Sequence, residues 1–326
     1  MRAHISLIHP RTLLAAAAVG ILGLTACSSG GGNAFTPGAT GTASGGGAAL
    51  VVGAQDFTEA NIMQSMYVLL LQNAGFTVTT KKAQRPVLFD ALKSGQVDVV
   101  PDYLGTTLTF LGNQVNGTKD TTYSSNDTAK EVADFKAVGA KAGIGAFTPA
   151  AAQDQNSFYV TKKFAAENGN LTTLSQLAAL NKPLKLGADT YCGASSQPYC
   201  INGLKKVYGL NQLTLDDSYN FGSVALAQAV LDGKVDVGES GTTDATLAPK
   251  GLIALKDDKV LQSAENLTPF YNIKKVTDPK VAATLDKLAA VLTVDDLYTL
   301  NGKVDNDRQK AEDVAKAYLQ SKQLIP

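Results

Sequence analysis

The chain has no tryptophan and only two histidines, His4 and His9, in 326 residues. Both histidines fall in an N-terminal stretch that reads as a cleaved leader, so the remainder has no imidazole. That excludes His-based acid–base chemistry, Ser-His-Asp and Cys-His nucleophiles, and His-ligated metals. Neither charge is in excess: 29 Lys+Arg stand against 29 Asp+Glu. Without residues 1–26 the chain keeps 27 basic and 29 acidic side chains. A balance this even removes the electrostatic case for a nucleic-acid partner. Cysteine is scarce as well, at three residues. What is present is globular: 44% hydrophobic and 18% charged residues, over a length that fits about two domains.

The first segment reads MRAHISLIHPRTLLAAAAVGILGLTAC. Arg2 and Arg11 give it a positive start, and Leu13 to Leu24 is an uncharged run of twelve residues. A spanning helix needs about 20 apolar residues, so this is the core of a signal peptide, expected over 1–26. The closing Leu24-Thr25-Ala26-Cys27 resembles the bacterial lipoprotein cleavage motif. That resemblance implies a lipid on the Cys27 sulfur and a protein held outside the cytoplasm at a membrane. Residues 27–48 follow as a Gly/Ser/Thr-rich coil with too little apolar area to fold. Such a coil spans roughly 25 Å and acts as a tether. The remaining cysteines, Cys192 and Cys200, lie in CGASSQPYC. In an oxidising compartment an even remainder predicts a disulfide, and the spacing suits no metal site.

From Leu50 onward short apolar runs alternate with helical periodicity, which predicts an α/β fold with mainly parallel sheets. A first helix is expected after Phe57, capped by Asp56 or Thr58 with Glu59. The tail beyond Pro279 reads as two amphipathic helices, over 280–300 and 306–323. One segment repeats: ALKSGQVDV (91–99) resembles AVLDGKVDV (229–237), offset by 138 residues. Each is a helix, a Gly stop and a strand. The strands end at Tyr103 and Gly241, each followed by Gly/Thr residues able to start a helix. In open α/β sheets ligands sit beyond the carboxyl ends of strands, where helix N-termini offer free N–H groups. Two such ends facing each other predict a two-lobed solute trap.

The ordered set VVGAQDFTEANIM, ALKSGQVDVVPDYLGT, SFYVTKKFAAENGNLTTLSQL, GLKKVYGL, AVLDGKVDVGESGTTD and IALKDDK resembles the substrate-binding proteins of ABC importers for osmoprotectants such as glycine betaine, choline and carnitine. The resemblance spans about residues 50–325. It implies a periplasmic-binding-protein-like fold with two hinge crossings: lobe 1 from 49–150 plus 247–326, and lobe 2 from 151–246. It also implies a monomer without cofactor or metal that hands a small solute to an ABC permease and catalyses nothing. The family holds a quaternary ammonium group among aromatic rings by cation–π attraction. Gln55 matches a polar contact, Tyr103 a box tyrosine and Thr106 a rim hydroxyl. The other box positions fall on Asn156 (with Phe158 close by), Gly241 and Glu265. Asp56 and Thr242 flank these positions and complete the candidate contacts. Of four expected rings, only Tyr103 stands in place, so the pocket is expected to be roomier and more polar, suited to a small polar or quaternary-amine solute. Two other classes remain open: a hydrolase pairing Asp102 with Glu239, and a surface lipoprotein acting as sensor or scaffold.

Overall fold

The protein is described by a computed structural model covering residues 48–119, 121–194 and 197–326. The expected signal segment, Cys27 and nearly all of the tether lie outside the described residues. Strand β1 (Ala49–Ala54) begins the folded body, with Leu50, Val52 and Ala54 buried. It pairs in parallel with β2 (Thr77–Lys82) and β3 (Val99–Tyr103). Strand β10 (Leu267–Asn272) then adds antiparallel to β3, and β4 (Ile144–Ala146) antiparallel to β10. The second sheet repeats this plan. Strand β6 (Leu184–Gly187) lies parallel to β7 (Leu213–Asp216) and β8 (Val237–Gly241), with β5 (Asn156–Thr161) antiparallel to β8 and β9 (Leu252–Leu255) antiparallel to β5. The orders are β2-β1-β3-β10-β4 and β7-β6-β8-β5-β9. The expectation of mainly parallel sheets therefore needs correction. A strand that returns through a helix on its own sheet must run parallel, whereas β5 and β10 enter from the other lobe and are free of that constraint.

The 138-residue repeat holds down to single atoms. Helix α2 (Arg85–Ser94) and its counterpart α8 (Val224–Leu231) each run into a glycine in the left-handed region, Gly95 at φ 73° and Gly233 at φ 70°. Glycine enters that region without steric cost and so stops a helix sharply. The Asp of each VDV then clips its sheet. The Asp98 N–H donates to Val51 O at 2.9 Å while Asp98 Oδ2 accepts from Val51 N at 2.7 Å. In the second lobe the Asp236 N–H donates to Lys185 O at 2.9 Å and Asp236 Oδ2 accepts from Lys185 N at 2.8 Å.

Two crossings join the lobes, over 147–155 and 256–266, and they run beside each other. The Leu267 N–H donates to Ala152 O at 2.9 Å and the Asp154 N–H to Glu265 O at 3.2 Å. The return to lobe 1, expected at residue 247, comes later: Leu252–Leu255 pairs with Phe158–Thr161 in the second sheet.

Helix α1 (Thr58–Asn73) packs its buried face, including Ile62, Met63 and Met66, into the lobe 1 core. Its expected cap is absent. Phe57 occupies the N-cap with no side-chain bond, Asp56 turns out to Lys82 and Asn61, and Glu59 is buried. After β3 come α3 (Leu104–Asn116) and α4 (Thr128–Ala142), and in lobe 2 α5 (Lys162–Glu167), α6 (Leu174–Ala179) and the short α7 (Ile201–Gly203), which continues as a wider turn to Tyr208. The tail forms three helices instead of two: α9 (Pro279–Ala289), α10 (Val294–Asp305) and α11 (Ala311–Ser321). The expected 280–300 piece is broken because Thr293 and Asp296 form a reciprocal capping box that starts a new helix. Among the described residues no helix is long and apolar enough to cross a membrane.

Candidate functional site

Beyond the strand ends lies a cleft of about 660 Å³ lined by both lobes and both crossings. Lobe 1 contributes Arg85, Thr106, Thr109 and Phe110; lobe 2 contributes Tyr191, Tyr199, Phe221 and Glu239; the crossings contribute Asp154 and Glu265, and Asn156 opens β5 just after the first. With Asp189 of lobe 2 and Lys119 of lobe 1 also on the lining, four rings, four carboxylates and two basic side chains face one space. The rim is bridged, since the Tyr199 hydroxyl of lobe 2 donates to Ser124 O of lobe 1 at 2.7 Å.

The free N–H groups expected at the two strand ends are already used. At the start of α3, Leu104 N donates to Asn266 O at 3.0 Å and Gly105 N to Ala264 O at 3.2 Å. Thr106 N donates to the Glu265 carboxylate at 3.0 Å. In lobe 2 no helix follows β8 directly. The chain turns, Thr243 N and the Thr242 hydroxyl donate to Asp154 Oδ1 at 3.2 Å each, and Thr242 N donates to Gln155 O at 2.9 Å. Both strand ends are therefore capped by a carboxylate of the chain itself. A glycine makes room each time: a Cβ on Gly105 would stand 2.9 Å from Glu265 Oε1, and one on Gly241 2.6 Å from Asp154 Oδ1.

Burial sets the electrostatics. Glu239 is 3% exposed and borders the cleft beside the Cys192–Cys200 disulfide. Among the described residues its carboxylate accepts no hydrogen bond, and burial, aided by the negative Asp189, pushes its pKa up to about 8. Glu265 is also raised by burial, against the hydrogen bonds from Thr106 and Ser263. Asp154 is raised by burial and by the nearby Glu59. Behind the cleft, burial and Glu265 hold Glu131 up at about 8. Arg85, whose Nε and Nη2 are each bound at 2.8 Å to Asp102, also works against the rise at Glu265 through its positive charge.

Of the residues singled out in the sequence, Thr106, Asn156 and Glu265 line this cleft. Tyr103 and Gln55 sit beside a smaller void, and the Tyr103 hydroxyl donates to Glu59 at 2.5 Å. Gly241 borders a neighbouring recess that shares Asp154 and Phe221 with the cleft, and Thr242 is turned to Asp154 and to Gln155 N. Asp56 is a surface carboxylate 3.0 Å from Lys82. Phe158, 1% exposed, belongs to the lobe 2 core. Asp102 is committed to Arg85 and borders no part of the cleft, so the imagined Asp102–Glu239 acid pair does not form there. Cys192 and Cys200 are joined, with Cα atoms 5.1 Å apart. The sequence reading missed Phe110, Tyr191, Tyr199 and Phe221. A signal for two of them was available: a tyrosine precedes each cysteine of the stapled loop.

Two similar lobes, two crossings and a cleft between them define a two-lobed solute-binding protein of the periplasmic type. Residues 48–321 match the family described as the substrate binding domain of ABC-type glycine betaine transport systems, and the chain belongs to that family. Its members bind solutes for ABC importers and are not enzymes. A glycine-betaine-binding protein of Pseudomonas aeruginosa is 24% identical over 289 residues, covering 84% of this chain and 88% of that protein. A solved glycine betaine/carnitine/choline ABC transporter structure superposes with a TM-score of 0.68 at 22% identity, over 85% of this chain and 99% of that one. Apo YehZ of Escherichia coli gives a TM-score of 0.63 at 23% identity, over 84% and 99%.

Proposed function

We propose that this chain is the lipid-anchored, extracytoplasmic receptor of an ABC importer, taking a small cationic or quaternary-amine solute between its lobes and delivering it to the permease. The observation that carries this reading is the cleft itself: rings and buried carboxylates converge on a space of small-solute size. Rings attract an ammonium group through their π faces, and carboxylates supply its counter-charge. Closure about the paired crossings then makes the receptor that the permease engages. Thr106, Asn156 and Glu265 are the contacts retained from the sequence reading, while Tyr103 serves the hinge through Glu59. Cys27 is the anchor site and residues 28–48 the leash.

A thermal-shift screen over betaines, choline, carnitine, polyamines and sugars tests this. A ligand at 100 times its Kd stabilises by about 2.7 kcal/mol. For a body of this size that raises Tm by roughly 5 °C or more. A response from the amines and none from the sugars is expected, and a flat response across the panel would sink the reading.

A further inference from the structure

Resting on that reading, the geometry points to a narrower solute class: an organic cation that carries no carboxylate. A zwitterion such as a betaine needs two seats, one for the ammonium and one for the anion. In a two-lobed α/β protein the natural anion seats are the N–H groups beyond the strand ends. Here both are filled from within, at Thr106 N by Glu265 and at Thr243 N by Asp154. Of the two basic side chains that border the cleft, Arg85 is bidentate to Asp102 and Lys119 is exposed just beyond α3. A solute carboxylate entering this cleft would meet Asp154, Asp189, Glu239 and Glu265 and find the strand-end donors taken.

The second observation is independent. Glu239 is 97% buried, borders the cleft and accepts no hydrogen bond among the described residues. Burial of this side chain makes its ionisation costly in the empty protein. A cation beside Glu239 offsets the cost of ionising it, whereas a solute carboxylate raises that cost. The cleft sets four acids, Asp154, Asp189, Glu239 and Glu265, against two basic side chains, Arg85 and Lys119, the first of them already paired with Asp102.

The test uses matched pairs that differ in the anion: choline against glycine betaine, and putrescine against ornithine, titrated calorimetrically into the purified protein at pH 8. At least one carboxylate-free member is expected to bind at least tenfold more tightly than its partner. Glu239→Gln should weaken that cation about 30-fold or more, as expected when one partner of a buried charge pair is removed. Glu265→Ala supplies a gain-of-function arm. It frees Thr106 N–H, and the preference over the zwitterion should shrink. Because Glu239 holds its proton up to about pH 8 in the empty cleft, cation binding below that pH must release a proton. Affinity should then fall as pH drops from 8 to 6, and the heat should depend on buffer ionisation. Zwitterions binding as tightly as their carboxylate-free counterparts would overturn the inference and leave the receptor reading standing. No binding by either kind would overturn both. A folded Glu239→Gln protein with unchanged cation affinity would remove Glu239 from the argument and the inference with it.

Discussion

The two lobes share a backbone grammar and differ in how each builds its wall of the cleft. In both, a helix stops at a left-handed glycine, an aspartate clips the neighbouring strand, and the strand ends against a carboxylate from a crossing. Beyond that point they part. Lobe 1 continues into α3, whose first turns carry Thr106, Thr109 and Phe110 into the cleft. Lobe 2 spends the same stretch on turns and brings its rings from elsewhere, on a loop closed by Cys192–Cys200 that presents Tyr191 and Tyr199. The shared grammar fixes where a cleft must be. The unshared segments decide what it recognises.

Breaking the staple should produce the largest asymmetry. Replacing Cys192 and Cys200 by alanine is expected to cost about 2–3 kcal/mol for so short a ring. The loss should fall on lobe 2: hydrogen exchange should quicken in β6 and β7 while α1 keeps its protection. The Tyr199–Ser124 bridge should loosen with it, weakening solute binding.

The strand-end glycines test whether the lobes are equivalent where they look alike. Gly105→Ala and Gly241→Ala each force a Cβ against a carboxylate, and overpacking of this kind costs about 1–3 kcal/mol. Comparable falls in melting temperature are expected from both. A neutral Gly241→Ala would show that Asp154 moves freely and that the second pole is not built like the first.

The smallest effect should come from the aspartate clips. Asp98→Ala strands a part-buried N–H and should cost about 1–2 kcal/mol, while the more exposed Asp236 should cost about 0.5–1 kcal/mol. Denaturant melts of the two variants give the comparison. The reverse order would mean that the clip carries more of lobe 2 than burial suggests.

The repeated grammar was legible in the sequence because it is local. Glycine stops, alternating strands and the VDV aspartates declare themselves within nine residues, and the 138-residue offset survives in β3 and β8. The site was legible only in part. Thr106, Asn156 and Glu265 were reached through the family resemblance, which aligns positions at and near strand ends. Phe110, Tyr191, Tyr199 and Phe221 reach the cleft from segments with no repeat and no periodic signature. The misread cap of α1 has a similar cause: Glu59 fits a capping box by spacing, but Tyr103 and Asn301, 44 and 242 residues away, claim its carboxylate. Glu239 was visible as a strand-end acid. That its carboxylate accepts no hydrogen bond among the described residues is a property of everything around it, which no single stretch of chain records.

The pairing of the two crossings through Asp154 N and Glu265 O carries one more consequence. The acids of those two residues stand on the paired crossings, whereas Asp189 and Glu239 stand on lobe 2. On the proposed closure a cationic guest would meet the acids of the crossings first, and the acids of lobe 2 as the lobes shut over it. Capture and closure are thus two successive contacts with the same charge, made first by the axle and then by the jaw.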